Sequence, residues 1–141
     1  MDKKISQLSD ILKQHDQSVT TTRKTIFAAL CGLKPMSMHE LVDSVSDSVN
    51  RASVYRTVEL FESIGVIKRI QIGWKYKLEL ADTFNTHHHH ISCIRCGSVS
   101  DFEESDNLIN ELLQTAKTTG FEHVSHSLEI SGICENCANK K

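Results

Sequence analysis

Four of the five cysteines fall in two Cys-x-x-Cys pairs, Cys93 with Cys96 and Cys134 with Cys137. Each pair places two thiolates close enough to share one ion, and two pairs supply the four soft ligands of a tetrahedral site. Zinc is the natural occupant. Four protein ligands leave no open coordination position, so the site reads as structural, tying the chain end to the residues around Cys93. A thioredoxin-like redox pair and unrelated core cysteines are the alternatives. Lone Cys31 reads as a core residue rather than a ligand. No stretch approaches the ~20 apolar residues of a membrane span, and the start, MDKKISQLSD, lacks the apolar run of a secretory signal. The expected location is therefore the cytoplasm, away from membranes, where reducing conditions favour metal ligation over disulfides.

Charge is divided unevenly. Residues 1–80 carry 12 Lys and Arg against 9 Asp and Glu, whereas residues 81–141 carry 4 against 9. A mildly basic first half can meet phosphates, and an acidic second half that is also rich in His can meet cations; two solvated surfaces would look the same by charge alone.

Leu8, Ile11 and Leu12 have helical spacing within residues 6–15, and a second helix opens at the threonines 20–22 and runs through Ile26, Phe27 and Leu30. After Pro35, Ser37 and Glu40 have the spacing of a capping box, starting a short helix to about Val45. Asn50 caps another over residues 51–64, with Gly65 as its stop. Val54, Val58 and Phe61 should pack inward, and Ala52, Tyr55, Arg56 and Glu59 should face outward. Two β-rich runs, 66–72 and 75–80, are joined by Gly73-Trp74 as in a two-residue hairpin. Helices followed by such a hairpin suggest a winged helix-turn-helix over residues 1–80. Residues 81–86 read as a hinge. Residues 87–141 read as a small α/β unit with strands at 88–93 and 98–102, a helix at 106–119 and a long strand at 121–131. The fold class expected is α+β. A unit of about 60 residues has a marginal core and needs a metal or a partner subunit.

His87, His88, His89 and His90 lead directly into the first cysteine pair. In an extended segment His87 and His89 face one way and His88 and His90 the other, a start on two separate metal sites. Nearby oxygen donors are Glu79, Asp101, Glu103 and Glu104, with His126 further on. A zinc-dependent hydrolytic site is the rival from another class, but no H-E-x-x-H motif and no H-x-E paired with P-C-x-x-C is present. A zinc-ribbon adaptor for another protein is a second rival.

Six segments stand in an order that resembles the landmarks of the ferric uptake regulator family: VTTTRKTIFAAL (19–30), RASVYRTVELFESIGVI (51–67), YKLELAD (76–82), HHHHISCIRCG (87–97), VSHSLEISG (124–132) and CENC (134–137). The resemblance implies a winged helix, a C-terminal dimerisation domain, structural zinc on the four paired cysteines, and a metal-dependent repressor of metal-uptake or homeostasis genes rather than an enzyme. It also implies a regulatory site between the domains, with Glu79, His88, His90 and Asp101 in the ligand positions and Fe2+ or Zn2+ as the ion, Mn2+ being a further candidate. The family's His ligand from the DNA-binding half falls near Pro35 here, a departure for which His39 is a candidate substitute. An accessory site would use His87, His89 and His126, but its Glu position is taken by Leu108 or Ile109. Asp101 in place of Glu is similar to the peroxide-sensing branch, which stands as an alternative.

The 51–64 helix is expected in the major groove, with Ala52 and Tyr55 on thymine methyls and Arg56 on a phosphate or guanine edge. The expected DNA-contacting set is Arg23, Arg51, Ala52, Ser53, Tyr55, Arg56, Lys68 and Lys75, with Arg69 and Lys77 also on the wing. One winged helix offers little surface, so a homodimer on a pseudo-palindromic duplex is expected.

Overall fold

A computed structural model describes residues 1–32, 34–85, 88–102, 105–124, 126 and 128–140. The chain divides into two compact units, Met1–Thr86 and His87–Lys141. None of the described helices is long and apolar enough to cross a membrane.

The first unit opens with α1 (Asp2–Gln14), which starts four residues earlier than its apolar spacing suggests and buries Leu8 and Leu12. Helix α2 (Thr21–Leu30) begins where the Thr20 side chain accepts from Arg23 N, and it buries Ile26, Phe27 and Leu30. Helix α3 (Met38–Ser44) carries both bonds of the capping box: Glu40 N donates to Ser37 Oγ, and Ser37 N donates to the Glu40 carboxylate. Helix α4 (Arg51–Ser63) is capped by Asn50, whose Oδ1 accepts from Ser53 N at 2.8 Å. Its stop is Gly65, at φ 76, in the left-handed region that side chains with a Cβ avoid.

Strands β1 (Ile67–Ile72) and β2 (Lys75–Leu80) pair antiparallel through six residue pairs, from Ile67 with Leu80 to Ile72 with Lys75. Met36 adds a single antiparallel bridge to Leu78, a pairing that Pro35 next to it disguises in the sequence. One apolar cluster, including Leu12, Phe27, Leu41, Val54, Phe61 and Leu78, joins all four helices to the hairpin. Phe84, in the segment read as a hinge, packs into this cluster edge-on to Phe27, and Ala81 N donates to Val66 O.

In the second unit β3 (His89–Cys93) lies between antiparallel β4 (Val99–Phe102) and parallel β5 (Glu129–Gly132), and α5 (Asp106–Thr118) connects β4 to β5. The long strand expected over 121–131 is corrected to the four residues of β5. Phe121 to Val124 are not strand, and His123 takes φ 53, which breaks the extended run. A short helix α6 (Glu135–Ala138) follows Cys134 and had no periodic signal to reveal it. Among the described residues the apolar core cluster contains none from this unit, whose described buried side chains are His89, His90, Ser92, Cys93 and Cys137.

Candidate metal centre and nucleic-acid interface

Parallel pairing of β3 with β5 places Cys93 opposite Gly132, and Ile94 N donates to Gly132 O, so the chain enters Cys134 beside the first cysteine pair. The sulfurs of Cys93, Cys96, Cys134 and Cys137 then lie within 4.8 Å of one another, with Cys96 and Cys134 at 3.7 Å. Tetrahedral zinc with Zn–S of ~2.3 Å needs sulfurs about 3.8 Å apart. The donor set fits. Cys134 N donates to Cys93 Sγ at 3.3 Å, and this bond, with the N–H groups of Cys96 and Arg95, lowers the Cys93 pKa to about 6 despite burial. The Ser98 hydroxyl and N–H also lower Cys96. Cys137 is pushed up to about 12, first by its bond with Cys134 and next by burial, because a further negative charge among these thiols is unfavourable. A divalent cation removes that penalty, so these residues would hold zinc as a closed structural site.

The register of β3 and β4 organises the imidazoles. His90 sits directly opposite Asp101, and His90 Nδ1 lies 2.7 Å from Asp101 Oδ1. His88 is edge-on to His90 with ring centroids 4.8 Å apart. On the other side of the strand His89 stands opposite Phe102, and its ring centroid is 5.3 Å from that of His126. The expected alternation of the His tract is thus present for His88, His89 and His90. His87, Glu103 and Glu104 lie outside the described residues. Leu108 and Ile109, on α5, bring no donor to His89 and His126, which belong to no three-donor group among the described residues.

In the first unit Glu79 is 6% exposed between the core residues Leu78 and Leu80. Lys68 Nζ lies 3.3 Å from it and 2.6 Å from Asp82 Oδ1. Burial lowers the Lys68 pKa, but the hydrogen bond with Asp82 and the charges of Glu79 and Asp82 outweigh it, and the net shift is upward. His39 is exposed and 3.3 Å from Asp43.

The face of α4 opposite Val54, Val58 and Phe61 presents Arg51, Ala52, Tyr55 and Arg56 to solvent. Arg51 lies over the Tyr55 ring and reaches its hydroxyl at 3.3 Å; Arg56 Nη2 donates to Ser53 Oγ at 3.3 Å. A shallow groove between the start of α2 and the middle of α4 is lined by Thr20, Thr22, Arg23, Ser53 and Arg56. It gathers two guanidiniums and several hydroxyls from two helices, a combination suited to phosphate. Gln17, Thr57 and Leu60 complete the lining; of these eight, sequence reading selected Arg23, Ser53 and Arg56 as DNA contacts, and Thr20 and Thr22 were legible only as helix-starting residues. On the wing, Lys75 is exposed, and Arg69 pairs with the Glu62 carboxylate and lies over the Tyr76 ring.

A winged-helix unit followed by a thiolate-stapled α/β unit with clustered imidazoles defines a metal-binding, helix-turn-helix class of protein. Residues 14–131 match the ferric uptake regulator family, and the chain belongs to that family, whose members are metal-responsive transcriptional regulators and not enzymes. The chain is 33% identical over 95 residues to the peroxide-responsive repressor PerR of Staphylococcus aureus, a match covering 66% of this chain and 61% of that relative. The Vibrio cholerae ferric uptake regulator superposes with a TM-score of 0.72 at 26% identity, covering 89% of this chain and 98% of that one. The Helicobacter pylori regulator shares the fold at a TM-score of 0.80 and 21% identity, over 99% of this chain and 95% of that one.

Proposed function

We propose that this chain is a cytoplasmic repressor of metal-uptake or metal-homeostasis genes that binds a pseudo-palindromic duplex as a homodimer, with a labile divalent ion as corepressor. Residues 1–80 read DNA through Arg23, Arg51, Ala52, Ser53, Tyr55, Arg56, Lys68 and Lys75; residues 87–141 pair the subunits. Glu79, His88, His90 and Asp101 hold the regulatory ion, iron or zinc, with manganese as a further candidate. His87, His89 and His126 are the donors of a weakened accessory site, which lacks the family's Glu.

The observation that carries this reading is the His88, His90 and Asp101 constellation beside a separate four-thiolate site. Imidazole and carboxylate suit an exchangeable iron-type or zinc-type ion, whereas four thiolates suit a permanent one. A buried carboxylate at Glu79 adds a hard donor from the wing. The homodimer is supported by the second unit's surface. Strand β5 is at the edge of its sheet, and Ile91 and its cross-strand neighbour Ile130 are both exposed, as are Leu112, Phe121 and Ile133. Burying such side chains contributes about 1.5–3 kcal/mol each, which a unit whose described residues form no apolar core of their own needs.

An ion strengthens DNA binding only by favouring the DNA-competent arrangement, and by linkage DNA strengthens ion binding equally. A coupling of ~1–3 kcal/mol changes affinity roughly 5–150-fold. The test measures duplex affinity with and without a chelator that spares the cysteine-bound zinc. Chelation should weaken binding, and Glu79→Ala or His90→Ala should remove the metal response while zinc content stays constant. Affinity that ignores chelation, or mutants that respond as wild type does, would count against the sensor.

A peroxide-sensing reading is favoured by Asp101 at 2.7 Å from His90 and by the name of the Staphylococcus aureus relative. Peroxide treatment of the iron-loaded protein should then add one oxygen to a His, read by peptide mass, and abolish duplex binding; an unmodified protein that stays bound excludes it.

A further inference from the structure

The wing ends in a feature that the metal site and the recognition helix leave unused. Trp74, the chain's single tryptophan, is 92% exposed at the tip of the hairpin. The tip is built to hold it there. Ile72 pairs with Lys75, so the loop is the two residues Gly73 and Trp74, and Gly73 at φ 61 supplies the left-handed first position that a type II′ turn requires. Gln71 Nε2 donates to Gly73 O at 2.9 Å and braces the turn. Residues 68–77 contain Lys68, Arg69, Lys75 and Lys77 and no acidic residue; Lys68 and Arg69 lie towards the base of the hairpin in ion pairs with Glu79, Asp82 and Glu62, so the cations next to the tip are Lys75 and Lys77.

We propose that Trp74 is a DNA-contacting residue, its indole entering the minor groove next to the major-groove segment read by α4 and packing on deoxyribose edges there. This rests on the DNA-binding reading given above. Three observations carry it. Lys75 beside Trp74 and Lys77 two positions on put positive charge at the tip, which matches a polyanion and makes nucleic acid the occupant that the charge selects. The hairpin starts two residues after the α4 stop at Gly65, so helix and wing leave one point of the fold. Two six-residue strands extend about 20 Å, comparable to the ~17 Å half-turn that separates a major-groove site from the adjoining minor groove. An aromatic ring at that place gains contact area without needing a specific base, so it raises affinity across sequences and favours sites with a receptive groove shape.

The experiment uses the full metal-loaded chain and duplexes containing its operator, selected from random sequence. The intrinsic tryptophan emission of wild type should be quenched on binding and become shielded from iodide. Trp74→Ala should weaken binding roughly tenfold, with Trp74→Phe recovering most of the loss. Because the contact is apolar, the dependence of affinity on salt should keep its slope in Trp74→Ala, whereas Lys75→Ala should reduce the slope by about one. The side chain is exposed, so the alanine variant keeps the fold, checked by its circular dichroism. If wild type binds duplex tightly while emission and iodide access stay unchanged and Trp74→Ala binds equally well, the inference is overturned and the DNA-binding reading stands. If wild type selects no duplex, both fall.

Discussion

Removing one zinc ligand tests whether the second unit has any stability apart from its metal. Cys96 is the ligand to change, because it is exposed and its replacement by Ser leaves no cavity. Structural zinc bound by such sites contributes about 10–16 kcal/mol in apparent binding free energy at neutral pH. One ligand of four is then worth about 2.5–4 kcal/mol, or roughly two to three orders of magnitude in zinc affinity. Ordinary domains have only ~5–15 kcal/mol in total, and the buried side chains described for this unit are two imidazoles, a serine and two cysteines. The Cys96→Ser protein should therefore lose zinc to a competing chromophoric chelator at concentrations that spare wild type. Its β3, β4 and α5 amides should exchange rapidly, while amides around Leu12, Phe27 and Phe61 stay protected by their own apolar cluster. The reasoning is refuted if the variant holds zinc as tightly as wild type. It is equally refuted if the first unit melts together with the second when zinc is lost.

Asn50→Ala removes the acceptor of Ser53 N and should cost about 1 kcal/mol in the denaturant-unfolding free energy of the first unit, fraying the end of α4 that carries Arg51. Gly65→Ala forces a Cβ into φ 76 and should cost roughly 1–2 kcal/mol in the same assay; an unchanged midpoint would show that the backbone there relaxes. Asp101→Asn removes the negative charge of a proposed ligand that also lies 2.7 Å from His90 Nδ1, and should weaken the labile ion by at least the roughly 10–100-fold of an outer-shell partner by calorimetric titration, with the cysteine site still filled. Ile130→Asp puts a charge on the exposed edge strand and should shift sedimentation from dimer to monomer, whereas an unshifted dimer would place the subunit interface elsewhere.

Local chemistry made much of the first unit legible. A Thr hydroxyl, a Ser–Glu capping box and an Asn mark three helix starts because each satisfies an otherwise unpaired N–H within three residues, and such bonds depend on adjacent sequence alone. Gly65 and Gly73 mark the helix stop and the hairpin turn for the same kind of reason, a backbone angle that only glycine adopts freely. Cys-x-x-Cys spacing likewise announces two pairs of soft ligands.

What the chain order could not decide is who meets whom. That the four sulfurs come together follows from parallel pairing of β3 with β5, which sets Cys93 against Gly132 across a separation no periodicity encodes. The choice of Asp101 for His90 is a register, and a slip of one residue would have offered Ser100 or Phe102 instead. The 121–131 stretch misled because its apolar residues resemble a buried strand; Phe121, Val124 and Leu128 remain exposed, and among the described residues of the stretch only those beyond Leu128 join the sheet. Sequence determines which backbone angles and local hydrogen bonds are favourable. Long-range pairing, chosen by packing, decides which donors face one another.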